Sequence, residues 1–119
     1  MKIGDGKVQT KVSAQRKYAT AVAETLRVCG HPHRLVILCL LEHQPCSVST
    51  LVRETGLTQP MASQHLARLR SAGIISSQRT GNVMNYSLNG DETLLEFRAA
   101  LKIFCVQHKS RAGLTSHRS

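Results

Sequence analysis

No run of apolar residues in this 119-residue chain approaches the length of a membrane-spanning helix, and its N-terminus lacks the pattern of a secretion signal. Those absences lead us to expect a cytoplasmic protein with no membrane contact. In that compartment the four cysteines are candidates for redox, thiol or metal chemistry rather than a disulfide framework. Catalytic equipment is also missing: there are no paired carboxylates, no phosphate-cradling Gly loop and no Ser/His/Asp arrangement with a pocket. We therefore expect no enzyme activity, no cofactor and no metal site. No internal repeat is visible, and the length suits one domain.

Acid is scarce as well. Lys and Arg number 16 against 7 Asp and Glu, a formal net charge of +9. Much of the excess lies at the ends. Residues 1–17 hold five Lys/Arg and one Asp, and 109–119 hold three and no acid. Residues 1–13 and 109–119 are expected to be flexible basic arms flanking a 14–108 domain. Within that domain, 58–90 contains Arg68, Arg70 and Arg79 and no acid at all, a charge pattern suited to nucleic acid.

The most informative stretch is Ser47 to Asn89. Ser47 is a natural N-cap for a short helix with Val48, Leu51 and Val52 at helical spacing. Gly56 marks its stop. Thr58 can cap a second helix with Pro60 in its first turn, where a missing N–H costs nothing. Ala62, Leu66 and Leu69 form the buried stripe of that helix. Its outward residues are then Gln59, Ser63, Gln64 and Arg68, with His65 nearby. A face with Gln, Ser, His and Arg but no carboxylate suits base edges and phosphates. Gly73 ends the helix. Two strands follow, about Ile74–Arg79 and Val83–Leu88, around a Thr80-Gly81-Asn82 turn. Arg79 near the hairpin tip could contact a phosphate or a minor groove, or be a solvated turn charge. The fold class expected is mainly α with a small β-hairpin, a winged helix-turn-helix.

Upstream, a helix from about Ala14 to Val28 places Tyr18, Val22, Leu26 and Cys29 on one face, and Gly30-His31-Pro32 breaks it. The next helix, His33 to about His43, is almost uniformly apolar and should be buried on most sides. Cys39 lies inside it. The last helix runs from about Asp91 to His108 with Leu94, Phe97, Leu101, Phe104 and His108 in a heptad seam. That seam fits a second protomer, or burial on the chain's own first helix.

GHPHRLVIL, SVSTLVRETGLTQPMASQHLARLRSAGII and the wing with Tyr86 together resemble the ArsR/SmtB family of bacterial winged-helix repressors, over about residues 18–108. The resemblance implies a homodimer paired through its first and last helices, bound to double-stranded DNA at an inverted-repeat operator and released by an effector. Thr58, Gln59, Ser63, Gln64, His65, Arg68, Arg70 and Arg79 are the DNA-binding candidates, and Leu94, Phe97, Leu101 and Phe104 the dimer-interface candidates. The family's Cys-x-Cys metal site would fall on Ser47-Val48-Ser49, which has no thiols. The last helix has only Cys105-x-x-His108, two ligands where zinc needs more.

Cys39 and Cys105 remain, and their placement is similar to the thiol- and persulfide-sensing branch of that family. There, the resemblance implies, a cysteine in each of these helices joins its partner when reactive sulfur species or oxidants act, and repression is lost. Lys102 and His108 lie one turn from Cys105 and would favour its thiolate. Cys29 and Cys46 are given no role. A repressor answering a metal or metalloid through its cysteines, and a constitutive DNA-binding regulator with structural cysteines, are the alternatives.

Overall fold

The computed structural model describes residues 6–90, 94–95 and 97–105. Its elements are α1 (Gly6–Cys29), α2 (Pro32–His43), β1 (Cys46–Ser47), α3 (Val48–Thr55), α4 (Gln59–Ser71), β2 (Ile75–Thr80) and β3 (Val83–Leu88). A further helix, α5, covers 97–105. The winged helix-turn-helix read from the sequence is the architecture of the molecule. The expected ends of the last helix, at Asp91 and His108, lie outside the described residues.

Local signals place the helix-turn-helix. The Ser47 hydroxyl accepts from the Thr50 N–H at 3.2 Å, and Gly56 ends α3 at φ +76°. A side chain is strained at that φ, so Gly is the favoured residue there. The Thr58 hydroxyl then accepts from the Met61 N–H at 3.3 Å, opening α4 with Pro60 in its first turn. At the far end of the hairpin, Thr80 pairs with Val83 and Gly81 takes φ +63° in the two-residue connection.

Three boundaries differ from expectation. Helix α1 begins at Gly6 rather than near Ala14, so 6–13 is helical and not an irregular arm. No proline interrupts the chain before residue 32, and Lys, Gln and Arg are good helix formers, so nothing stops the helix short. Helix α2 begins at Pro32, which the sequence reading took as a breaker. Pro fits the first turn, and the His31 side chain caps it, Nδ1 accepting from the His33 N–H at 3.1 Å. The sheet has three strands, ordered β1-β3-β2 and antiparallel, because Cys46 pairs with Tyr86 and Ser47 with Asn85. A two-residue strand is too short to leave a period in the sequence.

The core joins all helices to the sheet. Ile37, Leu38 and Leu41 of α2, Leu51 of α3, Leu66 and Leu69 of α4, and Ile74 and Ile75 pack as one cluster, with Val28, Cys29 and Leu101 closing it. Each such aliphatic side chain contributes about 1.5–3 kcal/mol on burial. In helix α2, Ile37, Leu38 and Leu41 are buried, Leu35, Cys39 and Leu40 are partly buried against the core, and Val36 is 40% exposed. The apolar helix expected to be buried on most sides thus leaves only Pro32, Val36 and His43 exposed.

Candidate nucleic-acid interface and thiol pair

On α4 the buried stripe is Ala62, Leu66 and Leu69, as the spacing required. The same geometry turns Gln59, Ser63, Gln64, Arg68 and Arg70 to solvent. Thr58 at the N-cap and Arg79 near the wing tip are exposed too. Donors and acceptors for base edges thus share a helix with two guanidinium groups, and the wing adds a third. The described part of this surface, 58–90, contains no carboxylate.

His65 is the exception among the candidates. It stands three residues after Ala62 and four before Leu69, which puts it on the flank of the buried stripe rather than on the outward face. Its ring packs against His31 with centroids 4.6 Å apart and against His33 at 5.5 Å, and its Nδ1 lies 3.3 Å from Arg34 Nη1. Arg34 also donates from Nε to the Val28 carbonyl, tying α2 to the end of α1. Gln59, Ser63 and Gln64, by contrast, are all exposed on the outward face of α4. The spacing from Ala62 was the sequence signal that would have shown the difference. The histidine cluster itself was not foreseen, because His31 and His33 are 34 and 32 positions before His65.

Cys39 of α2 and Cys105 of α5 meet: their Cα atoms are 5.4 Å apart and the two sulfurs are bonded, across 66 positions of sequence. Both are partly buried at the edge of the core. They border an apolar groove with Leu35, Val36, Leu40 and Phe104, and with the Lys102 ammonium at its rim. His108, the other group expected to favour a Cys105 thiolate, lies outside the described residues. The seam of the last helix is divided. Leu94 and Leu101 are buried within the subunit, Phe97 is partly buried, and Phe104, Leu95 and Ile103 are exposed. Burial of Leu94 and Leu101 on the chain's own core removes them from any outer contact surface. Of the exposed apolar residues, Leu95 and Ile103 sit beside the heptad line, whereas Phe104 lies in it.

Cys29 and Cys46 are free and buried. Burial pushes the Cys29 thiol up to about 11 despite the opposing Arg34 charge, and burial with the Glu54 carboxylate raises Cys46. At pH 7 the Cys29 thiolate fraction is then on the order of 10⁻⁴. After reduction, iodoacetamide near neutral pH should label Cys39 and Cys105 well ahead of Cys29 and Cys46, read by peptide mass spectrometry. Equal labelling of all four would mean the buried pair is as accessible as the groove pair.

The sequence model for bacterial regulatory proteins of the arsR family matches residues 31–77, the span from the start of α2 into β2. The HTH-type transcriptional regulator YgaV of Escherichia coli is 35% identical over 97 residues, covering 81% of this chain and 98% of that protein. The chain belongs to the ArsR family. The biofilm growth-associated repressor of Agrobacterium fabrum is also 35% identical, covering 82% of this chain and 83% of the relative. Among solved structures, the transcriptional repressor BigR from Xylella fastidiosa superposes with a TM-score of 0.72 at 34% identity, over 80% of this chain and 94% of that one. The transcriptional regulator HlyU from Vibrio vulnificus gives 0.68 at 28%, over 79% and 94%. As an ArsR-family member with this architecture, the protein is a DNA-binding transcriptional regulator and not an enzyme. Among the described residues, no helix is long and apolar enough to cross a membrane.

Proposed function

We propose that this ArsR-family regulator is a cytoplasmic homodimeric repressor whose hold on its operator is relieved when Cys39 and Cys105 become bonded. The juxtaposition of those two sulfurs, one on the core helix and one on the last helix, is the observation that carries the proposal. Reactive sulfur species or an oxidant supply the driving reaction. With a persulfide, the two thiols lose two electrons and two protons and form one S–S bond, while the persulfide is reduced to a thiol and hydrogen sulfide. Thiolate attack starts the sequence and the second cysteine resolves it.

Two protomers pair through α1 and α5. Support comes from the apolar side chains that the single chain leaves exposed on these helices: Val12 and Leu26 of α1, and Ile103 and Phe104 of α5, with Leu95 just before it. Paired recognition helices α4 enter successive major grooves of an inverted repeat, about 34 Å apart. Gln59, Ser63 and Gln64 read bases, with Thr58 at the helix entry. Arg68, Arg70 and Arg79 contact phosphates and set the salt dependence. Joining α2 to α5 moves the dimerisation helix against the core, so the bond alters the spacing of the two α4 helices.

The test is operator binding to the protein's own promoter region, measured before and after persulfide, peroxide, arsenite and zinc. Release by persulfide or peroxide alone supports the thiol reading. Release by arsenite or zinc alone replaces it with metalloid or metal control. Within the interface, Gln64→Ala should weaken operator binding by about 1–3 kcal/mol, the worth of one bidentate base contact. Its effect on random DNA should be much smaller, and an equal loss on both would remove Gln64 from base readout.

A further inference from the structure

Three imidazoles converge where α2 meets the flank of α4. His31 caps α2, His33 lies in its first turn, and His65 reaches them from α4. One ligating atom from each lies within 4.8 Å of the others. The Nδ1 of His33 is buried and has no hydrogen-bond partner, a costly state for a polar nitrogen unless something else engages its lone pair. We infer that His31, His33 and His65 form a site for a divalent transition-metal ion, such as zinc, cobalt or nickel, that bridges the start of α2 to the recognition helix.

The chemistry of the donors selects that class of ion. Imidazole nitrogens suit borderline metals, and no carboxylate is among the three ligands, so calcium and magnesium lack the oxygen ligands they require. Three protein nitrogens leave the fourth tetrahedral position to water. An ion held at about 2.0–2.1 Å places its ligand nitrogens roughly 3.4 Å apart, so the rings close on it by about 1.4 Å, within reach of side-chain rotation. Imidazole must be neutral to bind. Burial first, then Arg34 and the neighbouring histidines, lower the pKa of His31 and His65, which favours the neutral form that binds a metal. Arg34 opposes the ion, since its Nη1 now faces His65 Nδ1. A bound metal displaces that contact or takes the other nitrogen of the ring.

The site is separate from those expected of the family on the sequence, which fall on α3 and on the last helix. An ion here clamps the flank of α4 to α2, so its occupancy bears directly on the element that enters DNA.

The experiment is a Co²⁺ titration of the full-length oxidised protein, followed by visible absorption and by NMR of the histidine side chains. One equivalent should bind per chain with weak visible bands and no intense near-ultraviolet thiolate-to-cobalt band, and Zn²⁺ should displace it. Resonances of His31, His33 and His65 should shift or broaden while His43 is unaffected. His31→Gln and His33→Gln should each weaken binding at least tenfold. The NMR measurement needs no variant, so a misfolded substitution does not leave the matter open. A thiolate band, undiminished binding in both variants, broadening confined to other histidines, or no saturable binding at submillimolar Co²⁺ would each overturn the site.

Discussion

Reduced protein should hold its operator, a persulfide donor should release it, and Cys39→Ser or Cys105→Ser should each leave binding intact while abolishing the release. The expectation follows from where the two thiols sit. Cys39 stands in α2 between Leu38, fully buried, and Leu40, partly buried, so it is anchored to the core. Cys105 ends the described part of α5, two turns after Phe97 and one after Leu101, which is 4% exposed. A bond between them sets their Cα separation at 5.4 Å and gives the two helices one fixed relation. Without it, α5 is held by packing around Leu101 and Phe97 and by the Arg98 guanidinium donating to the Asn89 carbonyl, and the covalent tie to α2 is gone.

A modification can change operator affinity only by its differential free energy between the binding and non-binding shapes, typically 1–3 kcal/mol or about 5–150-fold. We expect a loss in that range for the wild type and no change for either Ser variant. Fluorescence anisotropy on operator DNA measures it, and mass spectrometry of the same samples should find the intramolecular Cys39–Cys105 link in the wild type alone. A normal persulfide response in both variants would sink the proposed switch.

The second large effect concerns the scaffold under the recognition helix. Leu66→Ala should lower stability by about 2–5 kcal/mol, the cost of lost apolar burial plus the cavity left behind. Leu66 is 1% exposed and belongs to the same cluster as Leu38, Leu51 and Leu69, so no side chain can relax into the space without disturbing another layer. For a domain of this size each kcal/mol moves Tm by several degrees, so the melting midpoint should fall on the order of 10 °C or more. Binding to operator and to random DNA should fail together near the melting range, because the whole α4 platform is lost. That shared failure separates Leu66 from Gln64, whose truncation should leave Tm unchanged and act mainly on the operator. A Tm within a degree or two of the wild type would place Leu66 outside the core.

The contrast between His65 and its neighbours shows where reading along the chain reaches its limit. Gln59, Ser63, Gln64 and Arg68 were assigned to the outward face by period alone, and each is exposed. His65 was grouped with them, but one helical step puts it against α2, where two more histidines and Arg34 wait. The last helix gives a similar lesson. A heptad seam announces apolar contact without naming the partner, and Leu94 and Leu101 turned to their own subunit while Phe104 stayed exposed. The pairing of Cys39 with Cys105 rested on family resemblance alone until the fold put α2 and α5 side by side.

Residues Ser47 to Leu88 were determined locally. Caps at Ser47 and Thr58, the left-handed Gly56, the Ala62–Leu66–Leu69 stripe and the Gly81 turn all act within about four residues, which is the reach of a helical hydrogen bond or a tight turn. The early start of α1 was equally local, and was missed because a polar helix has no apolar period to announce it. What only the tertiary structure decided involves partners distant in sequence: β1 on β3, His65 on His31 and His33, and Cys39 on Cys105. Such contacts depend on how packed layers bring separate elements together, and one residue's spacing along its own helix does not encode which surface arrives opposite it.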